Sequence, residues 1–302
     1  MRRTPGIKGL YEDKIEIKVR KERKMKKFMW ALIFGFMVCI LMSAQILAGP
    51  LQKPISKNPE AQKLIDQAWA LDHSDSSAEI YKRCIELMEQ ADKLDPNNHM
   101  ILSDISRYYW NYGDKLPKQT KEQQKFLEGI YAKGLAAAEK SLALKETPAG
   151  HYWWAVNKAA SLEFSSIFAQ AAGFLPIKKH SDWVTDHDPN YYFGASGRLW
   201  SEILTRVPKV VVEMVRWDVN DAVQLINDAI KEEPRYLDNY VYKARFYYNY
   251  FGDKEEALKN LEYALKQDAN TLMPSEVTAN RVAQKDGREL WKKITGKEYP
   301  AK

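Results

Sequence analysis

One spacing recurs along this chain and leaves little choice of architecture. A small residue is followed four positions on by a large apolar one, and three further on by another small one. It occurs at Cys84, Met88 and Ala91, at Ala222, Ile226 and Ala229, and at Ala257, Leu261 and Ala264. Only an α-helix brings positions i, i+4 and i+7 onto one face. Small residues on that face let a second helix approach closely, and the large one between them fills the groove. Each run ends on a breaker or a polar stop: Asp95-Pro96, Glu233-Pro234 and Gln267-Asp268. Ser141-Leu142-Ala143-Leu144-Lys145-Glu146 has the same shape, with Pro148 slightly displaced. The pattern predicts short helices joined by tight turns.

Repeated helix pairs of about 34 residues with this small-large-small seam are the sequence signature of tetratricopeptide units. The clearest unit covers 237–268, where Gly252-Asp253-Lys254-Glu255-Glu256-Ala257 makes the turn into the second helix. Val241, Ala244 and Tyr248 share a face of its first helix. Another unit begins near Asn98, with Leu102, Ile105, Ser106 and Tyr109 on its first helix and Gly113-Asp114 at its end. Its second helix, around 126–144, is delayed by an insert containing Pro117. An earlier unit comprises 64–69 and 78–94, where Cys84 stands in a tight helix contact. A further one spans 218–234, preceded by Val210-Val211-Val212, which is assigned to helix because no partner strand is evident. The centre is less regular: 151–170 is expected as one long helix, and 173–200 carries loop signals at Gly173, Pro176, Asp188-Pro189, Gly194 and Gly197. The expected architecture is all-α, with TPR-like helical hairpins forming an α-solenoid and an irregular central segment. The expected division is an N-terminal extension and signal over 1–48, a linker over 49–56, the repeat domain over 57–274, and a capping helix and tail over 275–302. A polar outer face suits a terminal cap.

The net charge of +6 does not describe the repeat body. Residues 1–48 carry 11 of the 46 Lys/Arg and 4 of the 40 Asp/Glu, which leaves 35 basic against 36 acidic residues. No basic patch for nucleic acid is therefore expected. Within 1–48, Lys26-Lys27 precede an uncharged apolar run over 28–42, and small residues follow at Ser43, Ala44, Ala48 and Gly49. This is the layout of an export signal, cleaved after Ala48 or retained as an anchor, with Met25 an alternative start to Met1. It predicts a periplasmic or envelope location. Cys39 would leave with the signal, so Cys84 has no disulfide partner in the mature chain.

No phosphate-cradling loop, zinc-protease helix or Gly-x-Ser-x-Gly elbow is present, so neither a catalytic centre nor a cofactor is expected. His180, Asp182, Asp186, His187 and Asp188 have ligand chemistry but no accepted metal spacing, and they read equally as a solvated segment with capping aspartates. The aromatic residues Tyr152, Trp153, Trp154, Tyr191, Tyr192, Phe193 and Trp200 concentrate around the irregular centre. Such a set can wall a ligand pocket or partner groove, or fill a repeat core. Arg198 can present its guanidinium to a carboxylate ligand, or pair with a local acid such as Asp188.

The stretch from Asp188-Pro189-Asn190-Tyr191-Tyr192-Phe193 through Gly194-Ala195-Ser196-Gly197-Arg198-Leu199-Trp200, with Pro208 downstream and His151-Tyr152-Trp153-Trp154-Ala155 upstream, resembles the TRAP transporter TatT component family. The family's Gly-Gly-Pro is here Gly194-Ala195-Ser196, and members are often lipid-anchored, whereas this chain lacks the anchor cysteine. The resemblance covers roughly 57–270. It implies an exported helical-repeat protein that partners a TRAP-type solute-binding protein, in transporters that capture small organic acids or, in this branch, hydrophobic ligands, with an apolar channel through the helical body for a hydrophobic small molecule or lipid. The alternative from the repeats alone is an adaptor for envelope assembly that takes peptides in a concave groove.

Overall fold

Eight of the twelve α-helices among the described residues start where a short polar side chain takes amide hydrogens that have no partner in the first turn. Asn58 accepts from the amides of Glu60 and Ala61, with Pro59 at the first helical position. Ser77, Asn98, Thr147, Ser166, Asp218 and Asp253 cap in the same manner. Thr120 and Gln123 form a reciprocal capping box, which starts that helix at Lys121 rather than near Phe126. The structure, a computed structural model, describes residues 49–300. The expected export signal and Cys39 lie outside those residues.

Among the described residues the fold is all-α, with twelve α-helices and no strand. The first four are α1 (Pro59–Leu71), α2 (Ala78–Leu94), α3 (His99–Asp114) and α4 (Lys121–Leu144). Then come α5 (Pro148–Ser161), α6 (Ile167–His187), α7 (Ala195–Arg206) and α8 (Lys209–Val215). The chain closes with α9 (Val219–Glu232), α10 (Asp238–Phe246), α11 (Lys254–Lys266) and α12 (Val277–Thr295). A π-helical turn, Tyr247–Phe251, extends α10, and Gly252 then turns the chain at φ 72°. From α1 to α6 each helix packs on its successor; afterwards α7 packs on α9 and α10, and α12 on α10 and α11. No helix among the described residues is long and apolar enough to cross a membrane.

The recurrent seams form the core. Cys84, Met88, Ala222, Ile226, Ala257, Leu261 and Ala264 are all fully buried. Full burial of Ile226 and Leu261 contributes about 1.5–3 kcal/mol each. The Cys84 thiol donates to the Ala68 carbonyl at 3.4 Å, and burial pushes it up to about 12, as suits a packing residue and not a reactive one. The Val210-Val211-Val212 run is helical, within α8.

The centre departs from expectation in two ways. The long helix expected over 151–170 is two helices: α5 ends at Ser161, and Ser166 caps α6 by accepting from Ala169. Gln170 seals the turn between them by donating to the carbonyls of Leu162 and Ser165. The loop expected from Gly173 onward is instead helical through His187, with Pro176 inside α6. Burial of Phe174, Ile177, Ser181 and Val184 on one face outweighs the single amide hydrogen that Pro176 lacks. The irregular backbone shrinks to 162–166 and 188–194.

Candidate functional site

The short turn before α7 is held in an unusual conformation. Tyr192, Phe193 and Gly194 all have positive φ, at 45°, 56° and 77°. Two consecutive bulky residues in the left-handed region cost on the order of 1–3 kcal/mol each, so the surroundings must impose the bend. Arg198, one turn into α7, does so. Its Nη2 donates to the Tyr192 carbonyl at 2.5 Å, and its Nη1 donates to the Phe193 carbonyl at 3.0 Å and to Asn239 Oδ1 at 2.6 Å. Asn239 Nδ2 donates to the same Phe193 carbonyl at 3.0 Å. The guanidinium is sandwiched between the rings of Tyr192 and Tyr236, 4.9 Å from each centroid. Gly194 is required as well as permitted: a Cβ there would lie 2.3 Å from that of Ala229. The start of α7 therefore rests directly on α9.

This turn forms one wall of a cavity of about 600 Å³ enclosed by α3, α4, α5, α6, α7, α10 and α12. Trp110, Tyr152, Trp153, Val156, Phe174 and Leu199 supply its apolar face. Trp110 and Trp153 lie with ring centroids 5.8 Å apart, and Tyr152 meets Trp153 edge-on at 4.8 Å. The opposite face is ionic. Lys118 and Arg206 both bind Glu163 at 2.8 Å, and Arg206 and Arg245 both bind Glu202. This chain of alternating charges ties together the segment before α4, the α5–α6 turn, α7 and α10. Burial alone would push the Glu202 carboxyl up, but Arg206 and Arg245 more than offset it and hold it below the usual range. Deeper toward α1, Arg107 donates to Asp104 at 3.0 Å and to Asp72 at 2.5 Å. Asp238 and Asp286 also line the cavity, and burial pushes both carboxyls up.

Of the eight residues singled out by sequence, Tyr152, Trp153, Tyr192 and Arg198 line the cavity. The other four do not. Tyr191 packs behind Tyr152 at 5.5 Å, and Phe193 stacks on Tyr236 at 4.6 Å. Trp200 is in the core between Phe174 and Trp217 and donates Nε1 to Ser181 Oγ at 3.0 Å. Trp154 faces α6 and stacks on His180 at 3.9 Å. The sequence offered Asp188 as a local acid for Arg198; the structure supplies Asp238 instead, 3.8 Å from Nε, because the start of α10 brings that carboxylate to the guanidinium while Asp188 caps the end of α6. The resemblance implies an apolar channel; this cavity is not purely apolar, since Arg107, Glu163, Glu202, Arg206, Asp238 and Arg245 also line it.

The His180 to Asp188 cluster is dispersed around α6. His180 and His187 enter a stack with Trp154, His151 and Trp183, with stacked ring spacings of 3.8–4.1 Å. Asp182 pairs with Lys178, and Asp188 caps the helix C-terminus. Among the described residues no group of three or more His, Cys, Asp or Glu side chains is placed to hold a metal ion. Sequence reasoning missed the ionic wall. Glu202 and Arg206 stand at i, i+4 and Asp104 and Arg107 at i, i+3, spacings that flag helical ion pairs. Asp238, Tyr242 and Arg245 give no such local signal for the cavity they line. No protein-family model matches the chain, and no curated protein matches it.

Proposed function

We propose that this protein is a non-enzymatic, exported helical-repeat scaffold that holds a small ligand with an apolar body in its central cavity. In this reading it serves TRAP-type solute uptake by docking a solute-binding protein. The carrying observation is the cavity of about 600 Å³, within the roughly 300–1,000 Å³ span of small-molecule pockets. Four of the eight candidate residues, Tyr152, Trp153, Tyr192 and Arg198, lie on its wall. The succession of packed helices with buried small-large-small seams supports a TPR-like solenoid as the scaffold. An adaptor that takes peptides only in an outer groove has no use for a recessed aromatic and ionic cavity between its helices.

Native mass spectrometry of the protein purified from its own host tests the reading. The expected result is a stoichiometric small-molecule adduct and co-purification of a solute-binding protein. Ligand-free protein with no such companion would overturn it.

A further inference from the structure

The charged groups of the cavity differ in how much of their hydrogen-bonding capacity the protein itself uses. Arg107 and Arg206 are engaged at all three guanidinium nitrogens. Arg198 spends Nη1 and Nη2 on two backbone carbonyls and Asn239. Arg245 gives Nη1 to Glu202 at 3.1 Å and lies over the Tyr242 ring. The acidic side is different. Asp238 has only the 3.8 Å approach of Arg198 Nε, too long for a hydrogen bond. Asp286 takes no hydrogen bond and makes no ion pair among the described residues; Arg245, Lys115 and Lys285 act on it only through space. On the acidic side the protein leaves the acceptor capacity of both carboxylates unfilled, while on the basic side the open donors are Arg245 Nε and Nη2 and Arg198 Nε.

Two carboxylates left this way in a partly desolvated chamber call for donors carrying positive charge. Tyr242 sits between Asp238 and Arg245 on α10, and Trp110 and Trp153 offer ring faces that attract cations as well as apolar groups. Resting on the reading that the cavity holds a ligand, we infer that its ligand class is a primary organic ammonium, with the amine between Asp238 and Asp286 and the apolar body against Trp110, Tyr152 and Trp153. Three N–H donors on one compact cation match two carboxylates that accept nothing else. A carboxylate ligand meets fewer open groups, because Arg107 and Arg206 are occupied at every guanidinium nitrogen and Arg198 at two of three, which leaves Arg245 as the one of these four with two nitrogens open.

Isothermal titration of the full chain with n-hexylammonium, 2-phenylethylammonium, hexanoate and hexan-1-ol tests the assignment. The ammonium compounds are expected to bind at least tenfold more tightly than hexanoate. Asp286→Asn is expected to weaken the ammonium at least tenfold while leaving hexan-1-ol and the circular dichroism spectrum unchanged. Asp238→Asn provides an independent variant on another helix. Hexanoate binding as tightly as hexylammonium, ammonium affinity within twofold of the parent in both variants, or no ammonium binding at millimolar concentration each overturns the assignment. If hexan-1-ol or hexanoate still binds, the ligand-holding reading survives and only its charge class falls. If no compound binds and native mass spectrometry finds no adduct, the reading itself fails.

Discussion

Replacing Arg198 by Met tests how the turn that walls the cavity is held. Met keeps much of the aliphatic volume between Tyr192 and Tyr236 and removes every donor. The Tyr192 carbonyl and Asn239 Oδ1 then lose their Arg198 donor bonds, while the Phe193 carbonyl keeps Asn239 Nδ2 at 3.0 Å. Two orphaned buried acceptors cost about 1–3 kcal/mol each, and Asp238 loses its nearest cation. The expected destabilisation is about 4 kcal/mol, in line with the roughly 3–5 kcal/mol seen when one member of a buried charged pair is removed. With a urea m-value of about 3 kcal/mol/M the midpoint falls by about 1.3 M. Arg198→Lys keeps the charge but cannot span three acceptors, and should lose about half as much. A midpoint shift below about 0.3 M for Arg198→Met would refute the claim that this guanidinium imposes the left-handed turn.

Two further expectations concern the same region. His151 and His180 share an Nδ1–Nδ1 hydrogen bond of 2.9 Å, in which one ring donates and the other must be neutral to accept, so protonation of both rings breaks it. Burial, aided for His151 by His187 and Lys179 and for His180 by His151 and Lys179, depresses both from 6.5 to about 4, against a small opposing pull from Glu146 on His180. The unfolded chain therefore binds more protons between pH 6.5 and 4, so stability is full above 6.5 and falls as pH drops, by up to about 3 kcal/mol per ring. Urea midpoints measured from pH 7.5 to 4.5 should show this slope, and a His180→Gln variant should flatten it; a midpoint constant between pH 6.5 and 5 contradicts the account. Gly197→Ala places a methyl 2.8 Å from the Leu225 carbonyl and 2.9 Å from the Ile226 Cα. Backbone cannot yield as a side chain can, so a loss of about 1–3 kcal/mol is expected by thermal or urea unfolding, and an unchanged melting temperature counts against the close α7–α9 contact.

The local physics of single helices was legible in the sequence. Small-large-small seams at Cys84, Ile226 and Leu261 gave helix faces, and Asn98, Asp218 and Asp253 marked starts, because caps and periodicity act within a few residues of one another. The all-α class followed from them. The centre was misjudged because Gly173 and Pro176 carry a local preference that burial of Phe174 and Ile177 overrides, a balance decided only when α6 meets its neighbours. The cavity was legible in part. Tyr152, Trp153, Tyr192 and Arg198 stand in a dense local run that a reader can notice. Arg107, Glu202, Asp238 and Asp286 come from four helices, three in the repeat region and one in the C-terminal cap, and nothing in the order of residues says that they line one cavity. The sequence by itself determined the helices on either side of the centre and their apolar faces. Only the tertiary structure decided which charges meet across the cavity, which of them are consumed by the protein, and which keep unused hydrogen-bonding capacity, because those charges come from helices far apart in the chain.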